Sequence, residues 1–286
     1  MVRNPIVAGK FYPNNFEQLE LEIKNSFESR FGPGALPLKK REGTIKGLIV
    51  PHAGYQFSGA CAAWAYKELA EAQPAELFII IGPNHAGIGQ SSTMLDDWRT
   101  PFGLFRTEKE FAQKLAAHSD LKLDNRPFER EHSLEVQLPF IQFAEKQRLN
   151  ELRFVPIIVS KELNIKKLAL DLKELILEYG KKVCIIASSD FTHYGPAYGY
   201  MPFELDKEKK LYALDAKAIS LIKTQDAKGF IDYVNETGAT ICGSIGIAVL
   251  MLALPPSKIS CLQYYTSGDV LHDSKNMVGY ASIVFR

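Results

Sequence analysis

The sequence has almost no net charge, no closely paired cysteines and no apolar run long enough for a membrane, and each absence excludes something. Its 34 basic and 33 acidic residues leave a formal charge of +1, so it lacks the basic footprint that nucleic-acid binding leaves on a chain. Short basic clusters, Lys39-Lys40-Arg41 and the stretch 207–210, read as solvated loops or helix faces. The four cysteines, Cys61, Cys184, Cys242 and Cys261, are widely spread with no CxxC pair. That spacing fits neither a disulfide framework nor a structural zinc module. Three of them sit in apolar surroundings and read as small core residues. The most apolar stretch, 245–254, is stopped by Pro255-Pro256 and is too short to span a bilayer. The first residues, MVRNPIVAGKFYPNN, lack the apolar core of a signal peptide, so the expected compartment is the cytoplasm.

What is present is alternation. Strands are expected over 45–50, 77–81, 154–159 and 183–187, with helices over 57–69, 108–117, 133–145 and 165–179. A hairpin-like region falls at 93–106. The last third reads as helices over 204–222, 227–235 and 245–254, closing with strands over 259–265 and 279–285. Short apolar runs rich in Ile and Val, separated by amphipathic helices, argue for a central, mostly buried sheet with helices on both faces. No composition shift or low-complexity linker divides the 286 residues, so one α/β domain over 1–286 is expected.

In such sheets ligands collect beyond the carboxyl ends of the strands. The first strand runs into Pro51-His52-Ala53-Gly54, and the second into Gly82-Pro83-Asn84-His85-Ala86-Gly87. Two histidines placed alike, each between a proline that narrows the backbone and a glycine that frees it, point to a shared site. A third run ends in SSDFTHYG, which presents Asp190 and His193. Of six histidines, three therefore fall at strand ends. Of the others, His118 and His272 read as surface residues.

The stretch REHSLEVQLPF adds His132 and Glu135, which are i and i+3 neighbours on a helix starting there. They read either as a supporting or proton-transfer pair, or as a helix entrance with Ser133 as cap and Pro139 bending the helix. In GATICGSIGIAVLMLAL, Ser244 is a candidate N-cap, which places Cys242 just before a helix N-terminus where the backbone dipole favours a thiolate. Gly238, Gly243 and Gly246 keep the approach open. By itself Cys242 reads better as a buried cysteine without chemistry. Facing the two histidines, it would complete a set suited to zinc, iron or copper rather than magnesium or calcium.

VAGKFYP, PHAGYQFSGACAAWAYK, GPNHAG, EHSLEVQLPF, SSDFTHYG and TICGSIGI, in that order, resemble the Memo family. The resemblance covers Ala8 to about Ile247. That family includes the human mediator of cell motility and microbial proteins named for association with radical-SAM and AMMECR-type proteins, so such partners are implied here by family company. The resemblance implies a domain similar to the class III extradiol dioxygenases. It also implies a metal site, or its remnant, at His52, His85 and Cys242, with Asp190, His193, His132 and Glu135 lining the same pocket. Val7 departs from the family pattern, which often has histidine before the first AG.

Extradiol dioxygenases hold iron(II) with two histidines and a carboxylate. A thiolate in place of the carboxylate keeps the charge and softens the ligand, which admits copper as well as iron. The expected activity is a metal-dependent, dioxygenase-like redox reaction on an unknown small molecule. His193 would be acid/base, Asp190 its orienting partner, and Tyr55 and Asn84 would line the pocket. The alternative is a non-enzymatic adaptor that binds a phosphopeptide or other anion in a vestigial pocket. Zinc-dependent hydrolysis with Glu135 or Asp190 as base is a third reading.

Overall fold

Four strands account for the centre of the molecule because they are apolar on both faces. In the computed structural model, which describes residues 1–286, they lie parallel in the order Arg153–Val159, Leu77–Pro83, Val183–Ser188, Gly47–Val50. Side chains alternate across a strand. Leu48, Phe78, Ile80, Phe154, Cys184 and Ile186 therefore join one core, while Ile49, Ile79, Ile81, Val155, Ile157 and Ile185 join another on the opposite face. Met277–Phe285 extends the sheet antiparallel to Gly47–Val50, and Ile259–Thr266 lies antiparallel to it in turn. At the other side, Gly103–Thr107 runs parallel to Arg153–Val159 and forms a hairpin with Asp97–Thr100, as the hairpin-like segment predicts.

Helices cover both faces. Phe16–Glu28, a helix not anticipated from sequence, is capped by the Asn15 side chain accepting from the Gln18 N–H at 2.9 Å. It buries Leu19, Ile23 and Phe27 with Tyr55–Glu71 on the first face. On the second face, Ile165–Tyr179 begins at an Asn164 cap and ends at Gly180 in the left-handed region (φ 66). Ser244–Ala253 beside it is buried nearly all round, as its uninterrupted apolar sequence requires. No helix is long and apolar enough to cross a membrane.

Two residues expected to cap helices do not. The helix expected over 133–145 runs from Gln137 to Ala144. Pro139 stands in its first turn, where a missing N–H costs nothing, so the proline begins the helix rather than bending it. Ser133 is therefore not the cap, and its hydroxyl has no partner. Likewise Ser244 is the first helical residue and the capping position is Gly243.

Candidate metal centre

Because the four central strands are parallel, their carboxyl ends share one edge of the sheet. His52, His85 and Asp190 emerge there, and His193 lies on the short strand His193–Tyr194 paired to Met277–Phe285. Cys242 arrives from the opposite direction, in the turn before Ser244–Ala253. Gly243 permits that arrival: a Cβ there would stand 2.5 Å from Ser189 Cβ and 2.6 Å from the Ser188 carbonyl oxygen. The result places Cys242 Sγ 3.1 Å from His52 Nε2. One ligand-capable atom each from His52, His85 and Cys242 all lie within 4.8 Å of one another.

Hydrogen bonds decide which ring nitrogens face this centre. The Pro51 carbonyl accepts from Gln137 Nε2 at 2.9 Å, which fixes the amide so that it also donates to Ser188 Oγ at 2.8 Å. Ser188 spends its single proton on the Ser133 carbonyl at 2.7 Å. His52 Nδ1, 3.0 Å from Ser188 Oγ, must then donate. Its Nε2 is left as a lone pair toward Cys242. Burial, reinforced by His85 and His132, drives the His52 pKa well below its ordinary value, so the ring is neutral.

His85 is held by a residue that the sequence did not single out. Glu131, fully buried, accepts from His85 Nδ1 at 2.9 Å, from the His85 N–H at 2.8 Å and from the Ser133 N–H at 2.9 Å. Burial opposes its charge, but the His85 ring and these N–H groups outweigh burial and hold the carboxyl down at about 2. Burial likewise opposes charge on His85, and Glu131 outweighs it, so that pKa is raised. A carboxylate behind a histidine whose other nitrogen faces outward is the arrangement that orients histidine toward metals. The only cue in the sequence was an acid directly before His132.

Cys242 does not carry the thiolate that the helix dipole alone would favour. Burial, with the nearby Asp190 charge, pushes its pKa up, against weaker help from the Asp190 carbonyl and Ser189. A divalent cation beside the sulfur reverses this balance, because a coordinating thiol gives up its proton. The His52 lone pair, the outward nitrogen of His85 and one sulfur thus form a set that fits a borderline or soft metal.

The remaining expected residues divide. Asp190 Oδ1 accepts from the His52 N–H at 2.8 Å, and burial raises its pKa against the pull of His193. His193 Nδ1 faces the Thr240 carbonyl at 3.1 Å and so carries the proton, leaving the lone pair on Nε2. His132 stacks on His85, with centroids 5.1 Å apart and planes at 11°. Glu135 turns the other way. Fully buried, it accepts from Arg3 Nη1 at 2.7 Å, from the Ile6 and Val7 N–H groups at 3.0 Å, and from the Tyr12 hydroxyl at 2.8 Å. It clasps the amino-terminal arm, does not pair with His132, and has no oxygen to spare as a base. Val7 lies in that arm. Asn84 lines a cleft of about 970 Å³ beside His85 and Cys242. Tyr55 does not: it is a core residue donating to the Val136 carbonyl at 2.6 Å. His118 and His272 are exposed, as expected.

Residues 3–284 match the model of the Memo-like protein family. The chain belongs to the Memo family. It is 39% identical over 298 residues to a MEMO1 family protein of Methanopyrus kandleri, across 100% of this chain and 99% of that relative. A MEMO1 family protein of Pyrobaculum aerophilum is 36% identical over 99% of both chains, and one from Thermococcus onnurineus is 37% identical over 100% of both. Among solved structures, an uncharacterized protein of Escherichia coli K12 aligns with a TM-score of 0.54. That match covers 84% of this chain and 99% of the other at 10% identity, so it shows a shared fold and nothing finer.

Proposed function

We propose that this Memo-family chain is a metal-dependent oxidoreductase of dioxygenase-like type, with His52, His85 and Cys242 holding one iron(II) or copper ion. The observation that carries the reading is the convergence of His52 Nε2 and Cys242 Sγ at 3.1 Å, in a cluster where both imidazoles have their other nitrogen already engaged. A bound ion of this kind would supply Lewis acidity and one-electron chemistry at the cleft floor.

The protein's own groups do the rest. Ser188 and Glu131 fix the two rings. His193 Nε2, held basic-side out by Thr240, takes a proton from a hydroxyl on the bound small molecule. Asp190, buried and near His193, orients that exchange and is not a ligand in this scheme. His132 forms the stacked wall behind His85.

The phosphopeptide adaptor is the weaker reading. Apart from His85, which Glu131 already pairs, the charged residues lining the cleft are Lys161 and its neighbour Glu162. A dianionic phosphate finds little there to replace its water. Zinc hydrolysis is also weaker, since Glu135 is consumed by the arm and Asp190 is tied to the His52 N–H.

Elemental analysis of protein purified anaerobically without chelator tests the proposal, comparing the wild type with Cys242→Ala and His52→Ala. The expected result is about one iron or copper per chain, as a single three-ligand site requires, lost in both folded variants. Wild-type protein that is metal-free and refuses added iron(II), copper(I) and zinc contradicts it.

A further inference from the structure

The cleft above the metal cluster has a lopsided chemistry. One wall comes from three helix segments that meet around it: Ile165 at the start of Ile165–Tyr179, Ile231 and Val234 on Ala227–Thr237, and Ile245 in the first turn of Ser244–Ala253. Ile231, Val234 and Asn235 are spaced i, i+3, i+4, so one helical face is turned to the cleft. These aliphatic side chains are only half-buried, while their neighbours on the same helices, Leu168, Phe230 and Ile247, are fully buried in the core. Burial thus stops at the cleft, leaving apolar surface uncovered next to the metal ligands.

The polar part of the lining comes from Asn84, Ser160, Lys161 and Glu162, together with His85 and Cys242 of the cluster. No Phe, Tyr or Trp lines the cleft, and its one ring, His85, already stacks on His132. At about 970 Å³ it stands at the upper end for a small-molecule site, roughly 300–1,000 Å³.

We infer that the substrate is amphipathic: an oxygen-bearing head that reaches the His52–His85–Cys242 centre, and an uncharged aliphatic chain that lies against Ile165, Ile231, Val234 and Ile245. The inference rests on the metal-site reading and adds the substrate class to it. An alkyl chain covers the half-buried wall and gains the hydrophobic free energy that the fold leaves unused. A charged or aromatic tail finds neither a counter-ion nor a ring on those four aliphatic side chains.

Alkyl hydroxamates test this, because the hydroxamate oxygens bind metal while the tail length is free to vary. Acetohydroxamate, hexanohydroxamate, octanohydroxamate and benzohydroxamate are titrated calorimetrically into zinc-loaded protein. Affinity is expected to rise by about two- to fourfold per added methylene from two to six carbons, the yield of a buried CH₂. Hexanohydroxamate is expected to bind more tightly than benzohydroxamate. Val234→Asn, or Ile231→Gln as a second variant, should flatten the series and leave acetohydroxamate affinity unchanged. A flat series in the wild type, tighter binding of benzohydroxamate than of hexanohydroxamate, or an undiminished slope in both folded variants overturns the substrate class while leaving the metal site standing. Failure of acetohydroxamate itself to bind overturns the metal reading, and this inference with it.

Discussion

Cys242 Sγ and His52 Nε2 meet at 3.1 Å although 190 residues separate them in the chain. Neither side chain reaches the other by local structure. His52 is delivered by the end of a buried parallel strand, and Cys242 by a turn that can approach only because Gly243 has no Cβ. The sheet edge, the glycine and the Ser188 hydroxyl together set one sulfur and one lone pair face to face. Four consequences can be measured.

Ser188 fixes His52 without touching the metal position. Ser188→Ala removes the acceptor of the His52 Nδ1 proton and frees the ring to rotate or change tautomer. Metal affinity is expected to fall about 10- to 100-fold, with the fold retained and stability lower by about 1–3 kcal/mol. A chelator competition titration checks the first, and urea unfolding the second.

Glu131 accepts three N–H groups, so an amide cannot replace it silently. In Glu131→Gln the new NH₂ faces a donor whichever way it turns. We expect a loss of about 1–3 kcal/mol of stability from the unmet group, and weaker metal binding because His85 loses its orienting charge. Wild-type metal affinity in this variant would show that His85 needs no such support.

The amino-terminal arm is held by a buried ion pair. Arg3 donates to Glu135 at 2.7 Å and to the Glu131 carbonyl at 2.8 Å, while its guanidinium lies 4.0 Å over the Trp98 ring. Arg3→Ala leaves the Glu135 carboxylate buried without its cation, which costs about 3–5 kcal/mol. Denaturant unfolding at neutral pH should show it. A change below 1 kcal/mol, against that scale, would mean the arm is held by something else.

Asp215 provides a pH dependence of opposite sign to the usual one for carboxylates. It is fully buried, and burial raises its pKa to about 6 despite hydrogen bonds from Thr192 and from the Tyr264 hydroxyl at 2.6 Å. An unfolded aspartate titrates near 3.9. Below that pH the group is protonated in both states and costs nothing. Between it and about 6 the unfolded chain ionises first, so stability falls as pH rises, and the full penalty holds above. Relative to Asp215→Asn, the wild type should lose up to about 3 kcal/mol between pH 4 and 7. A constant difference over that range would show that Asp215 titrates normally.

Much of this was legible in the sequence because the information is local. Apolar runs two-sided enough to be parallel strands, three of them leading into a histidine or into Ser-Ser-Asp, locate the sheet edge and the residues on it. Glu131 and Arg3 were not legible. Their roles depend on partners 46 and 132 residues away, His85 and Glu135, and no periodicity encodes such pairings. Glu135 was misread for the same reason: helical spacing paired it with His132, but the amino-terminal arm claims it. Cys242 lay between. Its turn could be read, and its facing partner came only with the resemblance and then with the fold.

In the proposed site Cys242, His52 and His85 hold one metal ion. X-ray absorption at the zinc edge of the zinc-loaded protein tests it directly. One sulfur neighbour at about 2.3 Å with nitrogen neighbours at about 2.0 Å is expected, with the sulfur shell lost in Cys242→Ser. A spectrum with only nitrogen and oxygen around zinc, unchanged by that substitution, would contradict it.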